Sequence, residues 1–298
     1  MRELHGVMST SPFDHASLKQ HLLLFDKIYI VGLDRRLASP EAFPEFAVSH
    51  NADAAFLLDR GVVAEAPIAT NEIPAFADGS HAVIDECLHI VRDRSLEDVT
   101  KLKFLFLEAK LLFDRMVREV AVLNTARTGI DTVPLCTHPL PELLENDKAA
   151  PLQDVTRIVI SSLPVPGDGT SFDDILNFKQ EMRDKNWNMH RFIQALATKQ
   201  RTEVEIRDDF EWSLNEYAKA MKMHGIKASQ SFVDLFVITP LEIIEDLVKI
   251  NWSKIAKGAL QVRKRKVELL EAEMRAPGRE CAYVFDAMRR FGKASSGT

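Results

Sequence analysis

The chain has 298 residues, a formal net charge of −6 and 46% hydrophobic residues. This length permits one large domain or two ordinary ones, and this composition provides both a full core and a solvated surface. The negative charge argues against nucleic-acid binding by the molecule as a whole. No uninterrupted apolar run reaches the roughly 20 residues that span a bilayer, and residues 1–30 contain no signal-peptide pattern.

The cysteines indicate a reducing compartment. Cys87, Cys136 and Cys281 are odd in number, far apart and without a C-x-x-C pair. This spacing argues against a disulfide framework and against a cysteine zinc site. We therefore expect a cytoplasmic protein.

Residues 157–182 separate two parts of different character. The run Ile-Val-Ile at 158–160 is β-branched and apolar, which predicts a short buried strand. The following LPVPGDG has two prolines and two glycines, so no regular element is expected there. Ser171 and Asp174 then give the S-x-x-D signal of a helix start, and apolar residues follow at helical spacing.

Before this junction, strand and helix signals alternate. The patterns predict helices over 14–20, 41–60, 82–92 and 96–127, and strands over 22–31, 62–66 and 131–136. Residues 137–154 contain three prolines and predict a loop.

After the junction, nearly every pattern predicts a helix. The expected helices cover 172–198, 202–224, a segment from Thr239 that reaches Ile250 at least, and 279–291. Thr202 with Glu205 gives a second capping signal. The last residues, GKASSGT, predict a disordered tail.

The helix at 96–127 has apolar residues spaced alternately three and four apart, as in a heptad seam. Further apolar positions widen this stripe, which favours a central core helix that packs against several neighbours. Dimerisation through the same helix is the alternative.

The helix start at Ser171 has two candidate ligands. A helix N-terminus after a glycine-containing loop can bind an anion, but Asp168, Asp173 and Asp174 would repel phosphate, and no phosphate-binding glycine motif is present. The same carboxylates could hold Mg²⁺, although acidic residues are also what any helix N-terminus prefers. We favour an ordinary helix cap and expect no metal and no cofactor.

Arg183, Asp184 and His190 resemble the loose R-polar-x-x-x-x-H pattern of HEPN-type ribonucleases, at the long edge of that pattern because five residues separate Asp184 from His190. Seven residues are two helical turns, so Arg183 and His190 could face one groove. The resemblance implies acid–base chemistry by His190 and stabilisation of phosphate charge by Arg183. A histidine with a purely structural role is the alternative.

A basic segment is the clearest anomaly in the charge pattern. Residues 1–170 are predominantly acidic, whereas residues 249–267 carry seven positive charges and no negative one. Such a segment could contact a nucleic-acid backbone, an anionic membrane surface or an acidic protein face, or pair with the acidic part of its own chain. The candidate binding residues are Lys249, Lys254, Lys257, Arg263, Lys264, Arg265 and Lys266.

Two stretches, VISSLPVPGDGTSFDDILNF and the segment from Thr239 through INWSKIAKGALQVRKRKVELLEAEMRAPGRE, resemble a group of uncharacterised bacterial proteins. The resemblance covers roughly the C-terminal half, and the segment HLLLFDKIYI near the N-terminus shows a weaker one. It implies a bacterial cytoplasmic protein and supplies no activity and no site residues.

These patterns together predict an α+β fold that is predominantly helical, with a small N-terminal sheet. The expected parts are a mixed α/β part at 1–166, a helical part at 167–291 and a disordered tail at 292–298. Because no complete catalytic motif is present, we expect a non-catalytic binding or regulatory protein with a protein partner. The alternative is a nucleic-acid-binding protein, in one version a HEPN-like ribonuclease.

Overall fold

The structure, a computed structural model, describes residues 3–9, 15–42, 50–69, 72–73, 99–136, 150–198, 201–223 and 273–292. Contacts divide the chain into two compact units. The first, unit 1, comprises residues 1–161 with 165–200, and unit 2 comprises residues 162–164 with 201–298. The domain boundaries expected from the sequence stay predictions.

A four-stranded parallel sheet forms the centre of unit 1. Its strands are β1 (Leu4–Ser9), β2 (Lys27–Val31), β3 (Val63–Glu65) and β4 (Asp131–Pro134). They lie in the order β3-β2-β1-β4, so β1 pairs with both β2 and β4. The predicted fold class, α+β and predominantly helical with a small N-terminal sheet, is confirmed.

Helices connect these strands, because parallel neighbours require a crossover. Among the described residues, the connecting helices are α1 (His15–Leu24), α2 (Leu33–Ala38), a 3₁₀ turn (Pro40–Ala42), α3 (Asn51–Asp59) and the long α4 (Val99–Thr128). In the described part of the chain, no helix combines the length and the apolar character needed to cross a membrane.

The long helix α4 packs its second half against the sheet. Val7, Tyr29 and Val31 from β1 and β2 form one buried cluster with Met116 and Val120 of α4. These strand residues share one face because side chains alternate along a strand. Met116, Val117, Val120 and Ala121 therefore have the core role predicted for this helix.

The sequence patterns located β3 and β4, missed β1 and began β2 too early. The predicted strand at 22–31 is wrong over 22–24, which belong to α1, and β2 begins only at Lys27. No pattern predicted β1, whose sequence LHGVMS is buried at almost every position. Of the predicted helix at 41–60, the described residues confirm Asn51–Asp59, while the predicted helix at 82–92 lies outside the described residues.

The predicted strand at 158–160 is wrong. These residues belong to helix α5 (Ala150–Ser162), so the predicted loop at 137–154 is also wrong at its end. Val155, Ile158 and Val159 are buried at spacings of three and four, as on one face of a helix. Tertiary packing of this face outweighs the modest β preference of its branched residues.

The junction itself behaves as predicted. Residues 164–167 are irregular, and Ser171 begins α6 (Phe172–Glu181) with a capping box to Asp174. The single helix expected over 172–198 is two helices, since the backbone bends at Met182 before α7 (Arg183–Ala197). Helix α6 packs against α1.

In unit 2, α8 (Glu203–Met223) packs against a 3₁₀ turn (Arg279–Cys281) and α9 (Ala282–Phe291). Glu205 and Thr202 make the predicted reciprocal cap. The hydroxyl of Tyr217 donates to Glu273 at 2.8 Å, and its ring meets the edge of Phe285 at 5.4 Å. The apolar residues at helical spacing along α8 are buried: Ile206, Phe210, Leu214, Tyr217 and Met221.

The sheet leaves no room for a side chain at Gly6. A Cβ there would lie 2.9 Å from Leu135 Cδ1 and 3.3 Å from Phe25 Cγ. We expect Gly6→Ala to lower the free energy of unfolding by about 1–3 kcal/mol through overpacking, measured by urea denaturation. Gly169→Ala is the matched control, because no atom lies within 4 Å of its added Cβ. Equal stability of the two variants would contradict this packing.

Candidate functional site

The C-terminal end of α1 carries carbonyl groups that have no partner within the helix. Side chains from the helix pair α6–α7 bind them. The carbonyl of Leu23 accepts from Asn186 Nδ2 at 3.4 Å, that of Leu24 from His190 Nε2 at 2.8 Å, and that of Phe25 from Lys179 Nζ.

Asp26 follows these carbonyls and joins them to the sheet. Its main-chain N–H donates to Leu4 O at 2.9 Å, and Leu4 N–H donates to Asp26 Oδ2 at 3.0 Å. Lys179 Nζ lies 3.9 Å from Asp26 Oδ1, and His190 Nδ1 lies 3.5 Å from Asp26 Oδ2. One carboxylate therefore meets β1, α6 and α7.

A second histidine, His5, lies beside these residues. His5 on β1 is buried, its Nε2 lies 3.0 Å from Glu3 Oε2, and its ring meets the edge of Tyr29 at 5.5 Å. We call Glu3, His5, Asp26, Lys179 and His190 the Asp26 corner. It lies at the edge of the sheet where β1 and β2 begin.

Burial determines the protonation states of the two histidines and the lysine in the Asp26 corner. It lowers the pKa of His190, although the nearby Asp26 carboxylate opposes this shift. It likewise lowers the pKa of His5, with Glu3 opposing, and lowers the pKa of Lys179 from 10.5 to about 8. Both histidines are consequently neutral at neutral pH, because desolvation disfavours their charged forms.

The two residues of the predicted catalytic pair lie in different surroundings. His190 is buried, with 2% of its surface exposed, and binds the end of α1. Arg183 is exposed and stacks over the ring of Trp187, with 4.3 Å between the guanidinium carbon and the ring centroid. The catalytic role of this pair stays a prediction.

The other predicted binding residues lie outside the described part of the chain. These are the basic residues between 249 and 267, for which nucleic-acid or anionic-partner binding stays a prediction.

The carboxyl ends of parallel strands are where ligands commonly bind in such sheets. At β3, however, the Glu65 carboxylate accepts from the N–H groups of Gly32 and Asp34, both at 2.8 Å, and so occupies the start of α2. Beyond β4, the thiol of Cys136 lies 3.6 Å from Asp114 O. Burial raises the pKa of Cys136 to about 12, so the thiol is protonated and a poor nucleophile.

The junction makes several polar contacts within the chain, two of them through the carboxylates of Asp173 and Asp174. Lys19 Nζ donates to the carbonyls of Gly167 and Asp168, each at 3.3 Å. Asp173 pairs with Arg60 at 3.2 Å, and Asp174 makes the helix cap. Within the described ranges, no three His, Cys, Asp or Glu side chains are placed to hold a metal ion.

Sequence reasoning identified only one member of the Asp26 corner, His190. In the sequence, Asp26 is visible only as a charge that interrupts the apolar run LLLFDKIYIV, and His5 lies in a strand that no pattern predicted. The one available signal is the pair Asp26-Lys27 between two strongly apolar segments, which marks the end of an element. Nothing in the sequence links it to Lys179, which lies 154 residues from Phe25.

Comparisons with known proteins give no match to a family model, to a curated protein or to a solved structure. The resemblance to bacterial proteins therefore stays a prediction, and the site is interpreted from its own contacts.

The lowered pKa of Lys179 predicts a specific pH dependence of stability. Between about pH 8 and 10.5 the folded chain has released a proton that the unfolded chain still binds, so stability rises with pH in this window. Relative to Lys179→Met, we expect the free energy of unfolding of the wild type to increase by about 3 kcal/mol from pH 7.5 to 10.5.

Chemical denaturation at both pH values measures this difference. Lys219→Met is the control, because the side chain of Lys219 is 71% exposed. Parallel pH profiles for the wild type and Lys179→Met would rule out a buried, proton-releasing amine.

Proposed function

We propose that this chain is a non-catalytic intracellular binding or regulatory protein, an accessory component of a multi-protein bacterial system. The observation that carries the proposal is the use of the Asp26 corner. Lys179 and His190, its most strongly desolvated groups, point at main-chain carbonyls of α1. Donors held by the backbone support the fold and are not free to act on a substrate.

The position of His190 favours this proposal over ribonuclease chemistry. A general acid or base must reach the proton that it transfers, directly or through one water. His190 is buried, and its Nε2 is already engaged by Leu24 O at 2.8 Å. Arg183, the proposed phosphate-binding partner, is exposed and stacked on Trp187. The pair therefore lacks the shared access that cleavage of RNA requires.

The outer face of α4 supports a protein partner, which we propose to be a second copy of this chain bound through the helix at 96–127. Leu107, Leu111 and Val122 are 49%, 42% and 45% exposed. Their spacings of four and eleven residues place them on one side of the helix, since eleven residues are close to three turns. Exposed apolar residues in a row are typical of an association surface.

For this homodimer we expect Leu111→Lys to weaken self-association at least tenfold, because a buried charge opposes an apolar contact. Sedimentation equilibrium over a range of protein concentrations measures the dissociation constant. Val204→Lys is the matched control, since Val204 is an exposed apolar residue on α8. A wild type that stays monomeric, or a Leu111→Lys variant that associates normally, would exclude this surface.

Nucleic-acid binding through residues 249–267 is the second candidate function. The observation in its favour is seven positive charges in this segment without a negative one. Contacts with phosphates release counterions, so their affinity falls steeply with salt.

Titration of fluorescent RNA and DNA at several salt concentrations distinguishes the two functions. Under the proposal, the wild type neither cleaves RNA nor binds it in a salt-dependent way. The comparison variant has Arg263, Lys264, Arg265 and Lys266 changed to Gln, and Arg183→Gln tests cleavage without touching the Asp26 corner. Salt-dependent binding that the fourfold variant loses, or cleavage that Arg183→Gln abolishes, would replace the proposed function by the second candidate.

A further inference from the structure

We propose that the Asp26 corner is an acid-sensitive device: it fastens the helix pair α6–α7 to the end of α1 at neutral pH, and it loosens this attachment as the pH falls below the usual titration range of histidine. The inference concerns the fold of unit 1 and does not depend on the proposed function.

The hydrogen bond to Leu24 fixes which nitrogen of His190 carries the proton. A carbonyl oxygen only accepts, so Nε2 must donate. In the neutral ring Nδ1 then has no proton, and among the described residues it makes no hydrogen bond. Nδ1 of His5 is likewise buried without a hydrogen bond there. Both rings are therefore held neutral, each with one nitrogen that an acidic solution would protonate.

The charges around these rings balance only while the histidines are neutral. Glu3 directly precedes β1, Asp26 directly precedes β2, Lys27 begins β2, and α6 contributes Lys179. The neighbouring Tyr29 and Asn186 are uncharged at these pH values. Two carboxylates thus face two ammonium groups. Protonation of His5 and His190 would add two positive charges to a buried site without adding a negative one.

Burial of the two histidines determines that the attachment of α6–α7 weakens, and does not strengthen, as the pH falls. Desolvation lowers the pKa of both histidines in the folded chain, and Lys27 and Lys179 act in the same direction. A depressed histidine pKa means that the released state takes up protons first as the pH falls through 6.5. Above that value the attachment keeps its full strength, and below it the attachment weakens progressively.

Helix α7 also has a polar contact outside the Asp26 corner. Gln194 Nε2 donates to Asp131 Oδ2 at 2.7 Å, and neither partner is a histidine. His21 on α1 is a separate source of acid sensitivity, because burial lowers its pKa to about 4. The experiment must therefore separate a local change in α7 from a general loss of stability.

Amide hydrogen exchange at pH 7.5 and pH 5.0, corrected for intrinsic exchange rates, makes this separation. We expect protection of residues 183–197 to fall at least tenfold more than that of residues 116–128 in α4, which serve as the internal reference. His190→Gln keeps an amide donor for Leu24 O but cannot become charged. We expect it to remove most of the excess loss.

Two further variants complete the test. His21→Gln makes the same chemical change outside the Asp26 corner and should leave the excess loss in α7 intact. His5→Gln removes one of the two added charges and should reduce the excess, which provides a reading even if His190→Gln does not fold. A wild type that loses protection equally in α7 and α4 would overturn the proposal. The proposal would also be overturned if His5→Gln kept the full excess loss of protection in α7 and His190→Gln either kept it too or failed to fold.

Discussion

The need of the carbonyl groups at the end of α1 for hydrogen-bond donors is the constraint around which unit 1 is arranged. A buried carbonyl without a hydrogen bond costs about 1–3 kcal/mol. Three consecutive residues at the end of α1, just before β2, have carbonyls that need such a bond. Their donors come from residues 179–190, far along the chain. The helix pair α6–α7 must therefore pack at this place, and the capping box at Ser171 sets where the pair begins.

The same arrangement places the ammonium group of Lys179 and the carboxylate of Asp26 at a site that is largely shielded from water. Lys179 provides the donor that Phe25 O needs, but its ammonium group is desolvated. Asp26 offsets part of this cost and is itself held by the N–H group of Leu4. Buried ion pairs of this kind contribute little net stability compared with apolar packing, while removal of one partner is costly. The polar contacts thus specify where α6–α7 dock, and the apolar side chains of Ile175, Phe178, Met189 and Ile193 on these two helices are buried.

The sequence revealed local features reliably because their causes are local. The caps at Ser171 and Thr202 and the buried face of α8 depend on residues three or four apart. The strand β1 was missed because it is buried on both faces, so it shows no alternation, and it contains His5 and Gly6. The run at 158–160 is equally compatible with strand and helix, and only its packing partners decide. For His190, spacing located the residue, but nothing local shows that it turns inward to Leu24 O.

The strand order has a consequence for how this chain reaches its fold. The strand β1 occupies an interior position, yet one of its neighbours, β4, begins only at Asp131. Until those residues arrive and pair, β1 presents an open row of backbone donors and acceptors. Pairings between distant segments form slowly, because the entropy cost of closing the loop comes before the favourable free energy of the contacts. Such an exposed strand edge can pair with other chains, so folding intermediates of this protein are vulnerable to aggregation at the stage that precedes closure of the sheet.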